Sequence, residues 1–234
     1  MSKPSYLQPL HTTLLDHGTE QMDLFAAEER KAASIAARFL TDERIDPIYA
    51  HPGLCLTVLP HREIPAGITW ERQTGYASLL VHPLPGHDGR VRGVPYGAKA
   101  RLILLYLMTE AVKTRSRQIE LGRSMRAWLN AMGLPIGGNN YRTVADQADR
   151  IEHSVLSFRL VGQEGEFTLK DSIIRGSFRP FEEKAAEHTV ELSEGFFQTI
   201  IHRPVPIAES AIRLLADTCM PLDLYLWLAY RLHV

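Results

Sequence analysis

Cysteine, long apolar runs and an excess of charge of one sign are all scarce in this 234-residue chain. Its two cysteines, Cys55 and Cys219, are far apart and form no C-x-x-C pattern, which excludes a disulfide scaffold and argues against a zinc module. The longest apolar run, 102–108, is far shorter than the ~18–20 residues of a membrane helix. The N-terminus lacks the basic and apolar parts of a secretory signal. We therefore expect a cytoplasmic protein without membrane contact.

Motifs that carry enzyme chemistry are also missing. The chain has no G-x-x-x-x-G-K-[ST], no G-x-S-x-G and no H-E-x-x-H. The Gly137-Gly138 pair precedes a predicted helix but lacks the lysine and hydroxyl that hold phosphate and magnesium. His82 and His87 flank a turn with one acidic neighbour, Asp88, which favours exposed histidines over a metal site. We predict no catalytic residues, no metal, no cofactor and no enzymatic activity.

Charge is distributed unevenly along the chain, although the net charge is only −1. Residues 1–94 carry net −2, residues 95–180 carry net +5 and residues 181–234 carry net −4. Within 99–142 there are eight basic and two acidic side chains. We call 99–142 the basic island. It has two open interpretations: an electrostatic footprint for phosphates, or a solvated surface rich in arginine.

Periodicity and breaker residues give an α+β organisation. Residues 1–19 are polar and interrupted by proline, which is typical of a mobile arm. Predicted helices cover 20–42, 97–114, 125–132, 141–153, 207–217 and 222–233, the last two separated by Pro221. Predicted strands cover 54–59, 68–71, 76–81, 118–121, 155–161, 166–174, 189–192 and 196–201. We expect the core to include Leu102, Leu105, Trp128, Leu129 and Ile151.

The order helix, short strand, helix, turn, helix, hairpin is that of a winged helix-turn-helix. Ser124 is suited to cap the second of these helices and Gly133 to end it. Asn139 or Asn140 is suited to cap the third. The pattern predicts a helix-turn-helix over about 95–154 and a wing, formed by the hairpin, over about 155–179.

Residues 94–133 also carry a long and specific motif, PYG-x-x-ARLILLYL-x-TEA-x-x-T-x-SR-x-IELGRSM-x-x-WL-x-x-x-GL. It resembles the plasmid replication initiator family usually called RepA. The likeness extends upstream through LPHREIP and TWERQTGYASL, downstream through GLPIGGNNYRTVADQADRI, and to LDLYLWLAYRLH near the end. The resemblance therefore covers roughly residues 54–233.

The resemblance implies an initiator built of winged-helix domains. Such proteins bind repeated sites in double-stranded origin DNA, help to open the origin and recruit the host replication initiator and helicase. They often repress their own promoter and exchange between dimer and monomer, so we expect a homodimer. By this likeness 20–206 is a first winged-helix domain and 207–234 the start of a second, incomplete one. The apolar side chains Leu222, Leu224, Trp227, Leu228 and Leu232 then need a cover, which favours self-association.

Candidate DNA contacts come from the basic island and the hairpin after it. They are Lys99, Arg101, Arg123, Ser124, Arg126, Asn139, Asn140, Tyr141, Arg142, Thr143, Gln147, Arg150, Arg159, Lys170, Arg175 and Arg179. Arg142 and Gln147 are suited to read base edges. Simple capping, solvated surface charge and an Arg150–Asp146 pair one helical turn apart remain the alternative interpretations.

One feature of the third helix opposes DNA contact. Asp146, Asp149 and Glu152 outnumber its two arginines, and carboxylates repel phosphates. Two hypotheses therefore stand: a sequence-specific replication initiator, or a truncated initiator-like interaction protein that dimerises or inhibits another nucleic-acid-processing protein. A transcriptional repressor would share the DNA chemistry of the first.

Overall fold

A computed structural model describes residues 47–86, 88–161, 165–178 and 188–233. The predicted arm 1–19 and the predicted helix 20–42 lie outside the described residues. The chain divides into two compact units. One unit comprises 47–207 together with the chain from Leu215 onward, and it contains every site discussed below. Of the described residues, the other unit contains Ala208–Leu214.

The elements are short helices and strands around one long helix. Helices are α1 Pro52–Leu56, α2 Gly97–Thr114, α3 Met125–Ala131, α4 Gly138–Glu152, α5 Glu194–His202, α6 Glu209–Leu215 and α7 Cys219–His233. Strands are β1 Pro47–Ala50, β2 Trp70–Gln73, β3 Ala77–Pro83, β4 Gln118–Gly122, β5 Ser154–Val161, β6 Glu166–Ser172, β7 Ile174–Phe178, β8 His188–Leu192 and β9 Val205–Ala208. Helices and antiparallel strands therefore both contribute to the fold, as the sequence predicts. Within the described residues, no helix has the length and apolar character to cross a bilayer.

Helix α2 is the centre of the larger unit. Its sequence has no proline and no interior glycine, and it is rich in leucine and alanine, which are strong helix formers. It is apolar almost all round, and Leu102, Leu105 and most of their neighbours are buried. It packs against β1, α4, α5 and α7. The helix ends where Arg115 adopts a left-handed conformation.

Two antiparallel sheets flank this centre. In the first, the strand order is β2-β3-β5-β6, and Leu79 of β3 lies opposite Phe158 of β5. Both side chains are fully buried, because alternate residues of each strand face the core. In the second sheet, β4 pairs with β8 and β8 pairs with β7. The short strands β1 and β9 form a separate pair, which the sequence analysis did not predict.

The predicted helices and short strand of residues 97–153 are largely confirmed as secondary structure. Helix α2 has its predicted bounds, and β4 is one residue longer than predicted. The hydroxyl of Ser124 accepts a hydrogen bond from the Ala127 N–H at 3.2 Å, so Ser124 caps α3 as expected. Gly133 has φ +66°, a conformation that favours glycine and stops the helix. Helix α4 begins at Gly138 rather than Tyr141, and its N-cap is Gly137 instead of an asparagine.

Two predicted strands are wrong because local caps favour helices there. Residues 54–59 overlap α1, where the His51 side chain accepts the Gly53 N–H at 2.9 Å and Pro52 occupies the first turn. Residues 196–201 belong to α5, which is capped by Ser193. Phe196 and Ile200 are one turn apart and buried together, so packing overrides the strand preference of the β-branched run.

Two further boundaries differ from the prediction. Pro221 does not separate two helices, because it lies in the first turn of α7, where a missing N–H is not needed. The predicted strand 166–174 ends at Ser172, and Ile174 begins β7 in the other sheet. A single predicted hairpin strand is therefore divided between two sheets.

Candidate nucleic-acid interface

The first turn of α3 presents two arginines to solvent. Arg123 and Arg126 are exposed on either side of Ser124, whose hydroxyl is engaged in capping. Helix α3 packs on β4 and on α4, which fixes where these side chains emerge. Charged guanidinium groups at such a position suit phosphate oxygens.

The first half of α4 has no acidic side chain, and its outward face, which includes Asn139 and Arg142, is exposed, whereas Val144 is buried. The Asn140 amide donates to the Pro135 carbonyl at 2.7 Å, and the Thr143 hydroxyl donates to the Asn139 carbonyl at 2.9 Å. These bonds order the helix start and leave the Asn139 side chain exposed. Arg142 is also exposed, and its Nε makes only a long 3.5 Å contact with the Gly138 carbonyl. Tyr141 is half-buried beside them.

The second half of α4 is acidic, but its carboxylates are paired. Asp146 accepts a hydrogen bond from Arg150 Nε at 2.9 Å, which confirms the predicted pair. Asp149 accepts from Arg92 Nε at 2.6 Å, and Glu152 accepts from the Ser177 hydroxyl at 2.6 Å. The charge count of α4 therefore overstates the negative charge it offers to a ligand.

Three of the predicted DNA contacts belong to the framework instead. Arg101 is buried, and its guanidinium binds Asp223 at 2.5 and 2.7 Å as well as the carbonyls of Leu59, Pro60 and Gly97. Gln147 is buried, accepts the Tyr96 N–H at 2.8 Å and donates to Asp146. Arg150 lies over the Tyr96 ring and pairs with Glu63. We therefore leave Arg101, Gln147 and Arg150 out of the interface.

The remaining candidates are dispersed. Lys99 is largely buried, with Nζ 3.6 Å from Asp217. On the hairpin formed by β5 and β6, Arg159 binds Glu166 through two hydrogen bonds of 2.7 and 2.8 Å, and Lys170 is exposed. Arg175 is exposed on β7, in the other sheet. Arg179 lies outside the described residues.

Arg92 is a neighbour of α4 that the sequence analysis missed. It bridges Asp149 and Asp88, with Nη1 at 3.1 and 3.2 Å from the two Asp88 oxygens. Hydrogen bonds from the Arg90 N–H and from Arg92 lower the pKa of Asp88, so this carboxylate keeps its charge. Arg92 and Asp149 are 57 residues apart, and no periodicity or motif links them.

A cavity of about 210 Å³ lies beneath α4, between α2, α3 and the β4-β8-β7 sheet. Its lining is mainly apolar and includes Leu107, Trp128, Ala148 and Ile174. Throughout the described ranges, no three or more His, Cys, Asp and Glu side chains gather in a way that would hold a metal ion.

Comparison with known proteins places the chain in a family. The family model RepA_C, described as plasmid encoded RepA protein, matches residues 94–234. A search of curated proteins finds no match. The fold is similar to a crystal structure of domains 2 and 3 of RctB, with a TM-score of 0.52 and 13% identity over 78% of this chain and 74% of that one. A second structure of RctB domains 2-3 has a TM-score of 0.41 and 13% identity, over 64% and 59% of the two chains.

The RctB likeness at a TM-score of 0.52 defines the class of fold, a mixed α/β domain arrangement shared at low sequence identity. The family match covers more than half of the chain. It includes α2, α3, α4 and the three strands of the β4-β8-β7 sheet. The chain therefore belongs to the plasmid-encoded RepA protein family, a family of replication initiators.

Proposed function

We propose that this chain binds repeated sites in plasmid origin DNA through a winged helix made of α2, β4, α3, α4 and the β4-β8-β7 sheet. In such a domain a short strand between the first two helices joins the wing strands in one sheet. The pairing of β4 with β8, and of β8 with β7, supports this arrangement. It agrees with membership of an initiator family.

This proposal moves the wing from the predicted residues 155–179 to β7 and β8. The hairpin of β5 and β6 pairs through β5 with β3, at positions such as Leu79 and Phe158, and so belongs to the other sheet. Arg175 stays in the proposed wing. Arg159 and Lys170 then lie on a hairpin that is not the wing.

The observation that carries the proposal is the exposed, basic and acid-free surface of α3 and the first half of α4. On it we assign phosphate contacts to Arg123 and Arg126 and base contacts to Asn139 and Arg142. Arginine pairs well with guanine and asparagine with adenine in the major groove. The ion pairs of Asp146 and Asp149 weaken the main objection to contact with DNA, which is the negative charge of the second half of α4.

The later steps of initiation follow from binding at repeats. We propose that binding free energy promotes origin opening, and that the bound initiator recruits the host initiator and helicase. Occupation of sites near its own promoter would repress transcription. Any nucleotide hydrolysis would belong to the host partners, and the protein itself would act without catalysis.

The test first searches the DNA beside the coding region for direct repeats, and then titrates the chain with a duplex that contains them and with the same duplex in which the repeats are scrambled. The proposal expects preferential binding of the repeats, typically by 10³-fold or more at physiological salt. An Asn139→Ala, Arg142→Ala variant should bind both duplexes with similar affinity. Equal binding of the two duplexes by the wild-type chain would contradict the proposal.

A second candidate function is protein interaction, and α7 favours it. Its exposed apolar side chains Met220, Leu224, Trp227, Leu228 and Leu232 repeat at helical spacing along one face. Such a face is typical of an interface with another chain. A chain that self-associates in sedimentation experiments, but shows no binding to any duplex at low salt, would favour this function over the first.

A further inference from the structure

The acidic second half of α4 is held by two arginines from different parts of the larger unit. Arg150 Nη2 contacts Glu63 at 2.5 Å and its Nε contacts Asp146 at 2.9 Å. Arg92 bridges Asp149 at 2.6 Å and Asp88. Each guanidinium is therefore shared between one carboxylate of α4 and one carboxylate of a neighbouring loop.

The surroundings orient these two arginines. The Arg150 guanidinium lies 5.0 Å from the centre of the Tyr96 ring, a cation–π distance. Gly93 lies against the same guanidinium, and a Cβ on residue 93 would overlap it. Arg92 is held between its two partners with a quarter of its side chain exposed. Both positions depend on the loop 88–93, which passes beside α4.

We propose that Arg92 and Arg150 form an electrostatic clamp that offsets part of the negative charge of the α4 carboxylates Asp149 and Asp146, so that α4 can approach the phosphate backbone. This inference rests on the proposed DNA binding by α4. Without the clamp, α4 would bring two negative charges toward a polyanion. Arg92 is the informative member, because it reaches α4 from a distant part of the chain and is only partly buried. It acts through Asp149 and is a positioning residue.

The charge balance shows why the pairing matters. Like charges near contact distance in water weaken association about fivefold for each pair, and the effect declines as salt screens it. Arg92→Gln removes the positive charge that Asp149 and Asp88 share, although Asp149 keeps a contact with His153 Nδ1 at 3.3 Å. Asp149→Asn in the same chain removes the α4 carboxylate whose charge the arginine offsets.

The experiment measures the affinity of the full chain for a random-sequence duplex across a salt series. We expect Arg92→Gln to weaken binding roughly fivefold at low salt and less at high salt. The Arg92→Gln, Asp149→Asn double variant should regain most of the wild-type affinity. Asp149→Asn alone should change affinity little, because Arg92 already offsets that charge. If Asp149→Asn raises affinity as much in the wild-type chain as in the Arg92→Gln chain, the two residues act independently and the clamp is overturned.

Arg159→Gln is the control. Arg159 also pairs with a carboxylate, Glu166, through hydrogen bonds of 2.7 and 2.8 Å, and it lies on the hairpin of β5 and β6, outside the proposed winged helix. Its loss should change affinity much less than the loss of Arg92. An equal loss in both variants would mean a general effect of net charge and would also overturn the clamp.

The outcomes separate the clamp from the function on which it rests. Thermal unfolding of each variant shows whether Arg92→Gln merely destabilises the fold. A loss of affinity that appears only under conditions where the variant is partly unfolded would overturn the clamp. If Arg123→Ala weakens binding but Arg92→Gln does not, the interface stands and the clamp is wrong. A wild-type chain that does not bind the duplex at low salt contradicts both.

Discussion

Arg101 and Arg142 lie in the same basic island, yet their surroundings are opposite. Arg101 is buried, and its guanidinium contacts the Asp223 carboxylate and the carbonyls of Leu59, Pro60 and Gly97. Arg142 is exposed at the start of α4 with a single long contact to the chain. The comparison teaches that charge counted along the sequence mixes two kinds of arginine. One kind holds the fold together, and the other remains accessible to a ligand.

The largest expected effect comes from removing the buried arginine, Arg101. Arg101→Ala removes the buried guanidinium that pairs with Asp223 and with three backbone carbonyls, and it leaves Asp223 with His61 Nε2 at 2.8 Å. This loss should cost about 3 kcal/mol of unfolding free energy. Urea denaturation measures this loss. Lys99→Ala is the matched control, because its 3.6 Å pair with exposed Asp217 should contribute less than about 1 kcal/mol. Equal losses in the two variants would contradict the structural role of Arg101.

A second buried group gives a pH-dependent effect. His51 stacks on Phe158 and Phe196, its Nδ1 accepts the Gly53 N–H and its Nε2 lies 3.0 Å from the Thr199 hydroxyl. Burial lowers the pKa of His51 from 6.5 to about 4. Between pH 6.5 and pH 4, His51 binds a proton more strongly in the unfolded chain than in the folded one. Its contribution to the free energy of unfolding is therefore full above pH 6.5 and is lost as the pH falls toward 4.

The expected loss between pH 7 and pH 4 is about 3 kcal/mol from this residue. Denaturation at a series of pH values measures it, with His51→Asn as the comparison. Asparagine keeps an acceptor for Gly53 but does not titrate, so the variant should be less stable at pH 7 and vary less with pH. The same pH dependence in both proteins would show that other groups cause it.

Local rules predicted much of the fold, and the reasons for failure are physical. Ser124, Gly133 and the run 97–114 were predictable because caps, left-handed turns and uninterrupted apolar helices depend on adjacent residues. The partition of β5 and β7 between two sheets depends on long-range pairing, which a single sequence does not display. The helix at 194–202 depends on burial of Phe196 and Ile200, which overrides local preference.

The candidate site was predictable only in part, for the same reason. Arg123 and Arg142 are exposed as expected, because both lie at helix starts. Gln147 was indistinguishable in sequence from a base-reading glutamine, and only the fold shows it buried against Tyr96. The Arg92–Asp149 pair joins residues from separate elements, so spacing could not reveal it.

Substitution of the exposed arginine, Arg142, should change the affinity for DNA more than the free energy of unfolding. Arg142→Ala should weaken binding to the origin repeats about tenfold or more, because a good base contact contributes about 1–3 kcal/mol of discrimination. Its unfolding temperature should stay close to that of the wild-type chain. Thr168→Ala, on β6 and away from α4, is a control whose affinity should not change. A large loss of unfolding free energy in Arg142→Ala would mean that Arg142 stabilises the fold, as Arg101 does.

The smallest effect is expected at the hairpin of β5 and β6. Arg159 is exposed and already paired with Glu166, and its hairpin belongs to the β2-β3-β5-β6 sheet. Arg159→Gln should therefore change duplex affinity little, whereas Arg175→Gln, on the proposed wing, should weaken it. Fluorescence anisotropy with a labelled duplex compares the two variants. A larger loss of duplex affinity in Arg159→Gln than in Arg175→Gln would contradict β7 and β8 as the wing. It would favour the predicted wing of residues 155–179 instead.

The central claim is that the exposed arginines at the start of α3 neutralise phosphates. The most direct test is the dependence of duplex affinity on salt, for the wild-type chain and for an Arg123→Ala, Arg126→Ala variant. Each lost phosphate contact should reduce the magnitude of the slope of log K against log salt by about 0.9. A clearly shallower slope in the variant is the predicted result. An unchanged slope, or a wild-type affinity that does not depend on salt, would contradict the account.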